Sequence, residues 1–147
     1  MQKKELVKYL NDIFKCYGFN KSGNKWNAET NELIKVINLQ KSNFGNIYYL
    51  NYGFVLKGLD RNNFEMHIFN RLSSFNDEEN QRIMDLLDLE KSIGEEQRKI
   101  ELRTYIEKIM MKEMQHINTE ADVLAALKKK PHLNDIPMIV KKYFHLE

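Results

Sequence analysis

From Gln2 to Tyr17 the apolar residues Leu6, Leu10, Ile13, Phe14 and Tyr17 recur at the i, i+4, i+7, i+8, i+11 spacing of an amphipathic helix, which leaves one stripe to be buried. Gly18 ends that stripe, since a glycine can take the left-handed conformation that closes a helix, and Phe19 just beyond can fold back onto the last turn. Asn20 to Asn24 is polar and glycine-containing and reads as a connection. Four strands follow by composition and alternation: Lys25 to Glu29 around Trp26, Leu33 to Gln40, Ile47 to Lys57 and Phe64 to Leu72, each bounded by Asn, Gly, Asp or Ser. The connections are short, which predicts an antiparallel meander.

Register between the two long strands follows from the pattern, because a slip of one residue turns every side chain to the wrong face. Pairing Gln40 with Ile47 sets Leu39 beside Tyr48, Ile37 beside Leu50 and Leu33 beside Phe54 on one apolar face. The other face is mixed and holds Asn38, Gln40, Tyr49, Asn51, Gly53 and Val55.

Beyond the sheet the periodicity becomes helical. Asn76 before Asp77, Glu78 and Glu79 supplies an N-cap and acids suited to the positive end of a helix that runs to about Leu89. After a break at Ser92 to Gly94, a longer helix carries Leu102, Ile106, Ile109, Met110 and Ile117. Thr119 with Asp122 caps a short helix that Pro131 terminates, and a last helix from about Asp135 buries Ile139, Val140, Tyr143 and Phe144. The fold class is therefore α+β: an N-terminal helix on a four-stranded antiparallel meander, followed by a helical C-terminal half. Residues 1–145 read as a single domain, and Leu146 and Glu147 as the remnant of a purification tag.

Composition narrows the functional classes. The chain has 147 residues, 42% hydrophobic and 11% aromatic, enough to build a core without disulfides or structural metal. The lone thiol, Cys16, suits a reducing compartment, and the charged N-terminus and lack of a long apolar run argue against secretion and membrane insertion, so the cytoplasm is expected. Up to Asn76 there are 11 Lys/Arg against 6 Asp/Glu, and from Asp77 onward 12 against 15. That asymmetry is too weak for a dedicated nucleic-acid binder.

Motifs of established chemistry are missing: there is no phosphate-binding glycine loop, paired-cysteine zinc arrangement, His-Glu-x-x-His helix or nucleophile elbow. No cofactor and no metal is expected. Glu113 and His116 stand three apart on a helix but lack the second copy that a dinuclear site needs, and read as a solvated pair. Lys128, Lys129 and Lys130 sit at a helix C-terminus, where positive charge is favourable in any case.

The most informative stretch is Asn38-Leu39-Gln40-Lys41-Ser42, then Gly45, then Tyr48-Tyr49-Leu50-Asn51-Tyr52-Gly53, with His67-Ile68 and Arg71-Leu72 downstream. Together with Gly18-Phe19, Lys21, Gly23 and Asn24 upstream, and Ile106-Glu107 and Val123 to Leu127 downstream, it resembles the bacterial family catalogued as domain of unknown function 4304. The resemblance implies a domain spanning most of the chain and assigns no activity. Where that family reads Cys-His-Ile-Arg, this chain has Met66 before His67 and Phe69 after Ile68.

Read from the residues, Asn38, Gln40, Tyr49, Asn51, His67 and Arg71 are many polar groups for strands with nothing to bind. With Lys41 in the adjoining loop they form the candidate site: Arg71 and Lys41 attract an anion, Asn38, Gln40 and Asn51 orient it, and Gly53 leaves room for a ligand or partner backbone. The leading expectation is a non-enzymatic intracellular binding protein for a protein partner or small anionic ligand. A toxin-neutralising, immunity-like role is the subclass that analogy with other small motif-poor bacterial domains points to. The alternative is a small hydrolase or transferase with His67 as general acid/base and Arg71 as electrostatic clamp.

Overall fold

A computed structural model describes residues 1–146. The chain runs α1 (Lys3–Cys16), β1 (Asn20–Ser22), β2 (Lys25–Glu29), β3 (Leu33–Lys41), β4 (Tyr48–Leu56), β5 (Ile68–Arg71), α2 (Asp77–Leu86) and α3 (Glu95–Tyr105). A π-helical segment, Ile106–Met111, continues α3 into α4 (Lys112–His116), and α5 (Glu120–Lys128) and α6 (Met138–Phe144) follow. The five strands form one antiparallel sheet in sequence order. The mixed α and β composition, leading helix, antiparallel meander and helical second half are as the pattern predicts, with five strands in place of four.

The additional strand is β1. Its three residues are all exposed, so no hydrophobic alternation marks them. They form a hairpin with β2 across Gly23 and Asn24, with Gly23 at φ +64 in the first central position of a two-residue turn, a place that favours glycine.

At the other edge the expected strand Phe64 to Leu72 shrinks to Ile68–Arg71. Asn62 and Asn63 take left-handed backbone conformations, and Arg61 donates to the carbonyls of Phe64 and Glu65, so the chain turns there before it pairs.

In the β3–β4 pair, Leu39 stands opposite Leu50, Asn38 opposite Asn51 and Gln40 opposite Tyr49. The register is thus two residues away from the one that pairs Gln40 with Ile47, and a two-residue difference keeps every side chain on its predicted face. The cause lies outside the hairpin. Backbone groups of Asn46, Ile47 and Tyr48 are bonded to the segment after α2, through Leu89 N–H to Asn46 O, the Ile47–Asp88 bridge and Tyr48 N–H to Leu87 O. Only the Lys41–Tyr48 pair and a Ser42 N–H to Ile47 O bond remain to close the loop.

One face of the sheet is sheathed. Leu6, Leu10, Ile13 and Phe14 of α1 pack with Trp26, Ile37, Leu50, Tyr52 and Phe54 and with Ile83, Leu102, Met110, Val123 and Val140 from the later helices in one continuous core. Phe14 meets Trp26 edge-on at 5.0 Å between ring centroids. Gly18, at φ +85, closes α1 with Phe19 N–H bonded to Phe14 O. Lys35 also lies on this face. Its ammonium donates to Met114 O at 2.6 Å and Asn118 Oδ1 at 2.8 Å, and burial pushes its pKa down, partly offset by Asp122.

Two further braces hold the helices. Arg98, buried, donates to the carbonyls of Leu86, Asp88 and Lys91 and so caps the end of α2. Thr119 and Asp122 form the predicted capping box at α5. At the C-terminus His145, in a left-handed conformation, and Leu146 N–H bonded to Lys141 O close α6, and Leu146 rests against the core. Glu147, the other residue read as a tag remnant, lies outside the described residues. Among the described residues no helix is long and apolar enough to cross a membrane.

Candidate functional site

Among the described residues, no helix side chain joins the apolar packing on the second face of the sheet. Near one end of it Val36, Val55 and Met66, with Ile34, make a small separate apolar cluster. Beside that cluster, alternation in β3, β4 and β5 brings Asn38, Asn51 and Arg71 abreast across three strands.

Asn51 is the hub. Its side-chain amide donates to Asn38 Oδ1 at 2.9 Å and Gln40 Oε1 at 2.8 Å, and its Oδ1 accepts from Arg71 Nε at 2.9 Å. Arg71 Nη2 donates to Gln40 Oε1 at 3.0 Å. The guanidinium lies over Tyr49, with Cζ 4.2 Å from the ring centroid, and 5.9 Å from that of Phe69. Asn38 and Asn51 are buried, at 9% and 2% exposure, while Gln40 and Arg71 remain exposed. The inner amides therefore have their partners and the guanidinium is fixed by them.

This fixes what the cluster can do chemically. A guanidinium has two edges able to take a carboxylate in a bidentate fork. The Nε–Nη2 edge of Arg71 faces the sheet and is committed to Asn51 and Gln40; among the described residues Nη1 has no partner and no carboxylate stands within ion-pair distance of Arg71. The result is a held, exposed cation with its outer edge free. A concavity of about 400 Å³ lies beside it, lined by Asn24, Asn38, Gln40, Asn51 and Phe69, with the Lys25–Glu65 ion pair at 2.9 Å on its rim.

Five of the seven candidate residues thus come together: Asn38, Gln40, Tyr49, Asn51 and Arg71. Lys41 does not join them, since alternation directs it to the opposite side from Gln40, at the exposed end of β3. His67 is elsewhere altogether. It is 0% exposed, its Nδ1 accepts from Leu56 N–H at 2.9 Å and its Nε2 donates to Asp60 O at 2.8 Å, so both ring nitrogens are occupied by backbone. The expectation that His67 shares the mixed face is corrected: it pins the turn after β4 to the start of β5.

Gly53 is corrected as well. A Cβ there would stand 1.8 Å from Ile68 O and 2.6 Å from Met66 Sδ, so the absent side chain makes room for β5 and Met66, with none left over for a ligand.

Outside this face, Tyr52 donates to Glu113 Oε2 at 2.8 Å from the covered side, and its pKa is raised by burial and by that carboxylate. Glu113 and His116 line a cleft of about 430 Å³ between α4 and α5, but among the described residues no three His, Cys, Asp or Glu groups stand close enough to hold a metal ion. Sequence reasoning missed Phe69 as a neighbour of Arg71, and Lys35 and Arg98 as buried cations. All three were readable in principle: Phe69 is two positions from Arg71 on one strand, Lys35 stands between Leu33 and Ile37 on the apolar side of β3, and Arg98 precedes Leu102 by four residues on the buried stripe of α3.

An N-terminal helix, a five-stranded antiparallel sheet sheathed on one face and a helical C-terminal half define a mixed α and β domain. The chain belongs to the family described as domain of unknown function, DUF4304, whose model matches residues 10–128, a span that takes in the whole sheet and every residue of the cluster. No curated protein and no solved structure matches the chain.

Proposed function

We propose that this protein is a non-enzymatic binding module that recognises a carboxylate or similar anionic group of a partner through the polar cluster on the second face of its sheet. The observation that carries the reading is Arg71, held at one edge by Asn51 and Gln40, stacked on Tyr49, and without a carboxylate at its outer edge. A cation pre-ordered in this way loses little side-chain freedom on binding, which spares part of the ~2 kcal/mol of rotamer entropy an arginine carries. A cytoplasmic setting fits the single free thiol, Cys16. A toxin-neutralising role falls within this reading.

The hydrolase or transferase alternative loses its acid/base, because His67 has no free nitrogen and no exposure. The test is a titration of isotope-labelled protein with sodium acetate, against sodium chloride at equal ionic strength, followed by NMR. Saturable shifts at the Arg71 Nε–H and at the Asn38 and Asn51 side-chain amides are expected, with the amide shifts lost in Arg71→Gln. Shifts that chloride reproduces, or that persist in Arg71→Gln, overturn the reading.

A further inference from the structure

Arg71 and Tyr49 also form one wall of a second hollow, on the α2 side of the cluster. Its volume is about 260 Å³, and Ile47, Leu72, Ile83, Met84 and Leu87 supply an apolar floor and far wall. That size is below the range of ordinary small-molecule sites, roughly 300 to 1,000 Å³, and suits a single large apolar side chain.

Two exposed aromatics lie close in sequence to residues that line the hollow. Phe44, three residues before Ile47, is 93% exposed, and Phe75, two residues after Ser73 at the rim, is 109% exposed; Met84 in the wall itself is 47% exposed. Fully exposed phenylalanines cost solubility and are characteristic of interface surface, where Phe, Met, Tyr and Arg are enriched together. An apolar hollow with Arg71 in its wall thus stands together with exposed aromatics a few residues away along the chain.

We propose that this hollow is the anchor site for an acidic peptide segment of a protein partner, in which a large apolar side chain fills the hollow and a neighbouring Asp or Glu carboxylate forks onto the outer edge of Arg71. The inference rests on the binding role given to Arg71 above and adds the partner's chemistry. Charge complementarity selects the occupant: the apolar wall alone accepts any greasy group, but among the described residues the one charged side chain lining the hollow is Arg71, which has no carboxylate within ion-pair distance. Phe44 and Phe75 then offer the peptide apolar cover, and water excluded from the fork strengthens it.

The probe is a phage-displayed library of random nonapeptides selected against the full chain, with enriched sequences then measured by fluorescence polarisation. Sequences that place a large apolar residue within two positions of Asp or Glu are expected, with binding weakened roughly tenfold by Met84→Lys. A lysine at that place attracts an acidic peptide, so weaker binding reports loss of the apolar wall and nothing electrostatic. Met84 is half exposed on α2, so the variant keeps the core. No enrichment, enriched peptides without an acid, or peptides that bind Met84→Lys as well as the parent would each overturn the anchor. If acetate still shifts Arg71 in that case, the binding role of Arg71 stands by itself and a small anion is the occupant; if acetate is silent too, both fall. Sedimentation showing dimers at the selection concentration, broken by Met84→Lys, would place a second copy on the face and also overturn the peptide.

Discussion

The two faces of the sheet treat a cation in opposite ways. On the covered face Lys35 is 5% exposed and its ammonium ends on Met114 O and Asn118 Oδ1, which ties β3 to the helix end above it. On the second face Arg71 is held just as definitely, but by one edge only, and its other edge meets solvent. Polar groups sealed under helices must find internal partners or destabilise the fold by roughly 1 to 3 kcal/mol each. A group at the surface is under no such demand, so the ordering of Arg71 by Asn51, Gln40 and Tyr49 needs another explanation than burial. Both cations are ordered, but the donors of Lys35 end on groups inside the chain while Arg71 retains Nη1 at the surface.

The contrast is broken first by removing packing from the covered side. Phe14→Ala deletes a fully buried ring that touches Trp26 and Phe19, and should destabilise the fold by about 3 to 5 kcal/mol in urea or thermal unfolding. A loss below about 1 kcal/mol would mean that the core is not anchored on this face and that the division between the faces is misdrawn.

Much of this division was legible in the sequence, and the parts that were not have physical causes. Which side of the sheet is apolar follows from a period of two, and it survives a two-residue error in register because that error is a whole period. The register itself was set by the segment after α2 bonding to Asn46, Ile47 and Tyr48, a tertiary contact that no local pattern encodes. β1 is too short, polar and exposed to alternate, although the Gly23-Asn24 pair before Lys25 was a usable hairpin signal. His67 was misplaced because strand alternation was extended through Phe64 to His67, where left-handed Asn62 and Asn63 and the Arg61 clamp end the regular pattern. Within regular strand the cluster was readable: Asn38, Gln40, Tyr49, Asn51 and Arg71 share parity in their own strands and meet.

A smaller effect is expected from the covered cation itself. Lys35→Met keeps the length of the side chain and removes the ammonium, leaving Met114 O and Asn118 Oδ1 without their donor, at a cost of about 1 to 3 kcal/mol near neutral pH. The cost should grow with pH. Because burial lowers the folded-state pKa of Lys35, there is an alkaline window below the ordinary lysine value of 10.5 in which the unfolded chain binds more protons than the folded one. Wild-type stability therefore rises with pH across that window relative to the methionine variant. Urea midpoints of the two proteins between neutral pH and about pH 10 check this, and parallel curves would show that Lys35 is less sheltered than its packing indicates.

The smallest effect should come from Arg71, and it is the one that decides the comparison. Arg71→Gln removes a cation from the exposed side of the Tyr49 ring and one hydrogen bond each to Asn51 and Gln40, all at a surface where water can replace the lost donors. The expected loss is about 0.5 to 1 kcal/mol in urea unfolding, well short of Phe14→Ala and below the middle of the range for Lys35→Met. If the loss reaches about 2 kcal/mol, the network is holding β5 to β4 and Arg71 is a brace like Lys35, whatever else its free edge does. If stability barely moves, the ordering of Asn38, Gln40, Asn51 and Tyr49 around one guanidinium contributes little to the folded state, and the acetate response, present in the parent and absent in the same variant, is where its effect must appear.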